Sequence, residues 1–305
     1  MISPFSRVLI LLLCTCIFFP AISAQRSDER AEHRTKESVE LRKVTPDITI
    51  DPAHLPLGET LLYTIKWTAV PAGTGKIVTA DKPLEIRGTP CVQVTTTAMS
   101  NDFVSMFYPV RDKVQTFIDR ESFRSMRYVK NLREGKYKRD EKIDFNYKEK
   151  TAHYFKHVHG KKKVSKTVEI PDQIQDPLSA LFFLRHIRLR TGTRFSLPVH
   201  TGGKNWTAHV LVLKEDIRRI RFHGHYRAQL IEIQGSFEGI FVHKDKSIKV
   251  WVDKKTRIPL SAHAELPFGS MNLQLTDFFN SNLRPVSVHK YGRNQRRKRQ
   301  QGDSE

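Results

Sequence analysis

Residues 60–69 run Thr60-Leu61-Leu62-Tyr63-Thr64-Ile65-Lys66-Trp67-Thr68-Ala69, and their alternation decides the fold class. Leu61, Tyr63, Ile65, Trp67 and Ala69 share one face of an extended chain, with Thr60, Thr64, Lys66 and Thr68 on the other. Successive strand side chains point to opposite faces, so this is a strand with one buried side and one wet side. Pro71 to Gly75 (PAGTG) reads as a turn, with a partner strand from Lys76 to Ala80. Comparable runs recur at 91–99, 113–119, 123–129, 142–147, 152–158 and 163–170. They resume at 194–199, 206–213, 226–234, 237–243, 247–252, 260–266 and 271–278. Turn residues separate them, as in His159-Gly160-Lys161 and Thr201-Gly202-Gly203-Lys204. The expected fold is mainly β (α+β): a large curved antiparallel sheet, as an open barrel or sandwich.

The break between the two groups of strands is the one clear helix, expected over about residues 177–190. Asp176 is a good N-cap and Pro177 suits the first helical position. Leu178, Leu181, Phe182, Leu184 and Ile187 give a broad apolar stripe, and Gly192 supplies a C-terminal stop. Arg185, Arg188 and Arg190 lie toward the end where positive charge complements the helix dipole.

Outside these elements the chain changes character. Residues 1–24 have the layout of a secretory signal peptide: Arg7, an apolar run from Val8 to Phe19, Pro20, then small residues up to Ala24. The apolar run is too short for a spanning helix, which needs about 20 residues. Residues 25–51 are polar and balanced in charge and are expected to be disordered. A single β-rich domain is expected at 52–279, followed by a basic disordered tail at 280–305. Of three cysteines, Cys14 and Cys16 leave with the signal peptide, so no intramolecular disulfide forms and Cys91 is expected as a small buried hydrophobe.

The formal net charge is +20, and the stretch from Arg124 to Lys166 holds 15 Lys and Arg against 5 Asp and Glu. Such a field concentrates anions. In an exported chain without aromatic RNA-binding motifs the partner is not expected to be nucleic acid. Lipopolysaccharide, anionic phospholipid or acidic polysaccharide fits better, including peripheral contact with a membrane surface. Lys161, Lys162 and Lys163 form the densest run inside the domain and are the expected anion-binding residues.

Three blocks of sequence resemble the bacterial family known as domain of unknown function 3108. They are Gly58-Glu59-Thr60-Leu61-Leu62-Tyr63 with Trp67, Asp176-Pro177-Leu178-Ser179-Ala180-Leu181-Phe182-Phe183-Leu184-Arg185, and Val250-Trp251-Val252-Asp253 with Pro259-Leu260. The resemblance implies an exported envelope protein of Gram-negative bacteria with a large curved sheet and no established activity. At the level of fold alone it is also similar to the periplasmic lipoprotein carriers and receptors, whose curved sheet holds acyl chains.

Chemical motifs are sparse. The domain lacks a G-x-S-x-G elbow, H-E-x-x-H and C-x-x-C. Gly73-Thr74-Gly75-Lys76 lacks the upstream glycine and the Ser or Thr of a phosphate loop. The pairs His157/His159 and His223/His225 share strand faces, but adjacent glycines and basic neighbours favour solvated turn histidines, so no metal is expected. Most carboxylates sit beside Lys or Arg and read as surface ion pairs, so no catalytic residue and no cofactor is assigned. The expected function is a periplasmic binding protein whose concave sheet presents Tyr63, Trp67 and Trp251 to an apolar or glycan ligand, with basic rims for anionic groups. The alternatives are an envelope enzyme acting on glycan or lipid, and a structural envelope scaffold.

Overall fold

The structure is a computed structural model and describes residues 55–187, 189–235, 247–266, 269–281 and 283–285. The expected signal peptide, the polar segment 25–51, the strand expected at 237–243, Arg188 and most of the basic tail lie outside those residues.

β1 (Thr60–Trp67), β2 (Val70–Thr79), β3 (Leu84–Ile86) and β4 (Thr89–Ser100) lead into a short helix, α1 (Asp102–Phe107). β5 (Arg111–Asp119), β6 (Ser125–Glu134), β7 (Tyr137–Asn146), β8 (Thr151–Val158) and β9 (Val164–Glu169) follow, then α2 (Pro177–His186). The last elements are β10 (Arg194–Thr201), β11 (Lys204–Ile220), β12 (Gly224–Gln234), β13 (Ser247–Asp253), β14 (Pro259–Leu266) and β15 (Gly269–Phe279). All of these strands belong to one 15-stranded antiparallel sheet, ordered β10-β11-β12-β13-β14-β15-β1-β2-β4-β5-β6-β7-β8-β9, with β3 on β4. The pairing of β1 with β15 joins the two ends of the domain in the middle of the sheet.

The sheet is open, its edges being β9 and β10. The two ends of the sheet nevertheless approach each other, for the side-chain amide of Asn205 in β11, the neighbour of β10, donates to the Glu169 carbonyl of β9 at 2.6 Å. α2 fills the curl, packing on β5 and β10. Its start is held by Gln175, whose N–H donates to the Pro198 carbonyl and whose carbonyl accepts from His200, at 3.0 and 2.7 Å. Leu178, Phe182, Phe183 and Leu184 of α2 are buried against inward residues such as Leu61, Ile65, Tyr128 and Phe145.

The alternation in β1 is as expected: Leu61, Tyr63 and Ile65 are buried between half-exposed neighbours. Cys91 is also buried, and burial pushes its thiol up to about 11, with Asp119 adding to the shift. Four local expectations are corrected. Pro71 to Gly75 is not a turn but part of β2, and the chain reverses at Thr68, which takes φ 52°. Glycine is needed at 73 because a Cβ there would lie 2.1 Å from the Met99 carbonyl of β4. α2 stops at His186 rather than near 190, because Ile187 is already extended at ψ 135° and Gly192, at φ 87°, serves the turn into β10. A second helix, α1, stands where no helix was expected; Asn101 caps it by accepting from the Val104 N–H at 2.9 Å. Finally, Leu283, expected in the disordered tail, is buried.

Candidate functional site

β13 buries Val250 and Val252 and turns Trp251 to the opposite face of the sheet. Register fixes what surrounds it. Trp251 lies between Leu230 of β12 and Ser261 of β14, and the row continues to Gln274 of β15. One step along, Lys249, His263, Asn272 and Lys66 form a parallel row across β13, β14, β15 and β1. The long strand β11 brings Arg218 over the indole, its guanidinium carbon 4.7 Å from the ring centroid, and Lys214 reaches to 5.9 Å. Both are within cation–π range.

Together these residues border a groove of about 350 Å³. Lys66, Arg218, Arg219 and Lys249 line it, Trp251, Leu230 and Ile220 supply apolar surface, and no Asp or Glu is among the lining side chains. His263 is oriented by Asn272, with Nδ1 2.7 Å from the amide oxygen. Cations around an indole can accept an anionic group and stack or pack its apolar or glycan body.

The aromatics expected to share a ligand surface are not brought together. Tyr63 is in the core, and its hydroxyl donates to the Pro259 carbonyl at 2.9 Å. Burial, reinforced by Glu59, raises that hydroxyl far above the usual tyrosine range. Trp67 is half-buried on the same face and packs against the core. Its indole nitrogen would be 3.2 Å from a Cβ at Gly269. Trp251 alone faces the groove. Lys161, Lys162 and Lys163 are exposed on the β8–β9 connection and do not line it. Nor is the positive stretch wholly superficial: Lys130 and Arg139 are buried. Arg218 and Arg219 are adjacent in the sequence, but Lys66, Lys249 and His263 are far apart in it. They occupy outward positions on three separate strands, and only the strand order makes them neighbours.

The blocks of the family resemblance turn out to hold one another. Glu59 accepts from both terminal nitrogens of Arg185, at 2.6 and 3.1 Å, with both side chains buried. Asp176 caps α2 through Oδ1, accepting from the Leu178 and Ser179 N–H groups at 2.7 and 2.9 Å. Its Oδ2 accepts from Thr116 of β5 and Ser125 of β6, both at 2.5 Å. Burial raises the Asp176 carboxyl, and these four donors oppose that shift.

A separate charged cluster lies inside the curl. Glu141 pairs with Arg139 and with Lys130, whose Nζ is 3.6 Å away, and Arg139 also donates to the Tyr154 hydroxyl at 3.3 Å. Burial would raise the Glu141 carboxyl, but Lys130, Arg139 and Lys156 outweigh it and the net shift is downward. Burial depresses the His200 imidazole, whose Nδ1 sits 2.7 Å from the Asn205 amide oxygen. Lys130, Arg139, Glu141 and His200 are each at most 1% exposed, so the cluster is sealed from substrate-sized molecules.

Comparison with known proteins places the scaffold. Residues 62–276 match the model of the family described as protein of unknown function (DUF3108). A beta-barrel-like protein of domain of unknown function DUF1849 from Brucella abortus has a similar structure, with TM-score 0.51 and 9% identity over 73% of this chain and 97% of that one. At that identity the likeness concerns the fold alone. No curated protein matches the chain. Among the described residues no helix is long and apolar enough to cross a membrane.

Proposed function

The chain belongs to the DUF3108 family of proteins of unknown function, and from that premise we propose that it is an exported binding protein of the Gram-negative cell envelope whose Trp251 groove holds an anionic ligand. The observation that carries this reading is the composition of the groove: an indole and apolar side chains ringed by Lys66, Arg218, Arg219 and Lys249, without a carboxylate. The ligand is an envelope component with a phosphate or carboxylate on an apolar or glycan body, such as lipopolysaccharide, anionic phospholipid or acidic polysaccharide. Export and a periplasmic location rest on the layout of residues 1–24. Similarity in fold to the periplasmic lipoprotein carriers and receptors supports the same setting by analogy.

Peripheral membrane contact belongs to the same reading. α1 buries none of its residues and leaves Phe103, Met106 and Phe107 62–74% exposed. Arg111 and Lys113 are exposed on the strand that follows. An apolar tip beside cations suits an anionic lipid surface. The alternative of a glycan- or lipid-acting enzyme would need the Lys130–Arg139–Glu141 cluster to reach substrate, and its burial favours the binder instead.

The test is binding to lipopolysaccharide and to vesicles with and without anionic lipid, at low and high salt. The Debye length falls from about 10 Å at 0.1 M to about 3 Å at 1 M, so binding should be strong at low salt and released at high salt. Trp251→Ala and Arg218→Gln should each weaken lipopolysaccharide binding about 5–30-fold, since lost cation–π and charge contacts of this kind are worth about 1–2 kcal/mol. Replacing Phe103, Met106 and Phe107 with Ser should impair vesicle binding alone. Binding indifferent to salt and to Trp251 would refute the groove.

A further inference from the structure

Asp140, His157 and His159 come together on the solvent side of β7 and β8. Asp140 pairs directly with His157 across the two strands. His159 follows two residues on, with its backbone N–H donating to the Lys138 carbonyl at 2.9 Å. From sequence the two histidines are expected to be solvated turn residues among cations. The carboxylate beside them is visible only once β7 is paired with β8. One ligand atom from each of the three side chains lies within 4.8 Å of the other two.

The spacing is close to that of a metal-binding set, and because the two imidazoles are stacked at 20° one ring must turn to aim its nitrogen at a shared ion. The imidazole centroids are 5.1 Å apart. Two imidazoles on one tetrahedral ion, with metal–nitrogen bonds of about 2.0–2.1 Å, place their ring centres about 5 Å apart. Asp140 Oδ2 is 3.0 Å from His159 Nε2. The same coordination asks for about 3.3 Å between nitrogen and oxygen, a change of a few tenths of an ångström. The other carboxylate oxygen, Oδ1, is already occupied. It accepts from Asn131 Nδ2 at 2.8 Å and from the Arg133 guanidinium at 2.6 Å. Outer partners of this kind orient a ligating carboxylate and leave its second oxygen for the ion.

We propose that Asp140, His157 and His159 form a surface site for a divalent transition-metal ion of the zinc class. The ligand set selects that class: two imidazoles and one carboxylate suit Zn²⁺ and its neighbours, whereas Ca²⁺ and Mg²⁺ require oxygen shells. Arg133 sharpens the choice. Its positive charge beside Oδ1 disfavours an ion held by electrostatics alone and leaves the imidazole–metal bonds to supply the affinity. Three protein ligands leave a fourth position of a tetrahedral ion open to water or to an anionic ligand. The site is separate from the Trp251 groove and stands or falls independently of it.

Calorimetric titration of the full chain with ZnCl₂ tests the site. One Zn²⁺ per chain is expected at a tight site, with MgCl₂ and CaCl₂ giving no comparable binding. His157→Ala and His159→Ala should each remove the tight site. Asn131→Ala, which touches no ligand atom of the ion, should weaken it about 10–100-fold. His153→Ala is the control: His153 lies farther along the same strand, bonded to Ser165, and its loss should change nothing. Far-ultraviolet dichroism of each variant reports whether the sheet is intact. No tight Zn²⁺ binding, binding that survives the His157→Ala/His159→Ala double variant, or equal loss on His153→Ala would each overturn the proposal.

Discussion

Removing Arg185 tests whether the bond between the first two motif blocks anchors α2. The guanidinium and the Glu59 carboxylate meet at 2.6 and 3.1 Å, and their side chains are 7% and 2% exposed. Arg185 also lies 5.3 Å above the Phe182 ring. Arg185→Met leaves the Glu59 carboxylate buried without its cation, which costs about 3–5 kcal/mol. For a domain of this size each kcal/mol lowers Tm by about 2–4 °C, so a drop of about 6–20 °C is expected. The sequence-based alternative is a solvated cation complementing the helix dipole, worth only about 0.3–1 kcal/mol. The magnitude alone therefore separates the two. Urea unfolding of Arg185→Met, Glu59→Gln and the double variant completes the cycle. The double variant should recover much of the loss, with a coupling of about 2–3 kcal/mol, because neither partner is then left charged and alone. Single-variant losses below about 1 kcal/mol, or additive losses in the double variant, would refute the anchoring role.

Two further expectations follow from buried groups on the neighbouring strands. Burial pushes the Asp112 carboxyl up to about 7, against the opposing influence of the Arg133 N–H and of Lys130 and Arg133. The unfolded carboxyl releases its proton near pH 3.9, so between about pH 4 and 7 the folded state binds more protons and stability falls as pH rises. Asp112→Asn should flatten that decline, whose upper limit is about 4 kcal/mol at 1.36 kcal/mol per pH unit. Parallel stability–pH curves for the two proteins would count against it. Gly73→Ala should lower Tm severely, since its Cβ would sit 2.1 Å from the Met99 carbonyl, whereas Gly88→Ala has open space around it and bears only the strain of φ 77°. That strain is worth about 1–2 kcal/mol. Similar melting temperatures for the two variants would show that β2 and β4 are not so closely apposed.

How far the sequence discloses this molecule depends on the range of the interaction concerned. Alternation along β1 and the capping of α2 by Asp176 are local, governed by period-two geometry and by donors two and three residues away. Both were legible. The strand at residues 70–75 was not, because two glycines and a proline mimic a turn. What makes Gly73 obligatory is the approach of Met99, 26 positions along the chain. The short helix α1 escaped for a related reason. It is six residues long, too short for the i, i+3, i+4 spacing of Phe103, Met106 and Phe107 to repeat over a second turn and stand out as helical periodicity.

The same division by range bears on what the family relationship can disclose. Glu59, Tyr63, Asp176, Arg185 and Pro259 all belong to the blocks by which the family is recognised, and the structure bonds them to each other or to the strands they close upon. They specify how a single open sheet curls around α2 and so define a scaffold. Lys66, Arg218, Arg219 and Lys249, which give the groove its charge, lie outside those blocks. A related chain could keep the architecture and exchange these side chains without disturbing any buried bond described above. Trp251 is the exception. It stands inside a family block, between the buried Val250 and Val252, yet faces the groove. Its indole is half-buried and packs against the core, as that of Trp67 does. Trp251 therefore serves both the sheet and the groove, where Arg218 and Lys214 lie over its ring.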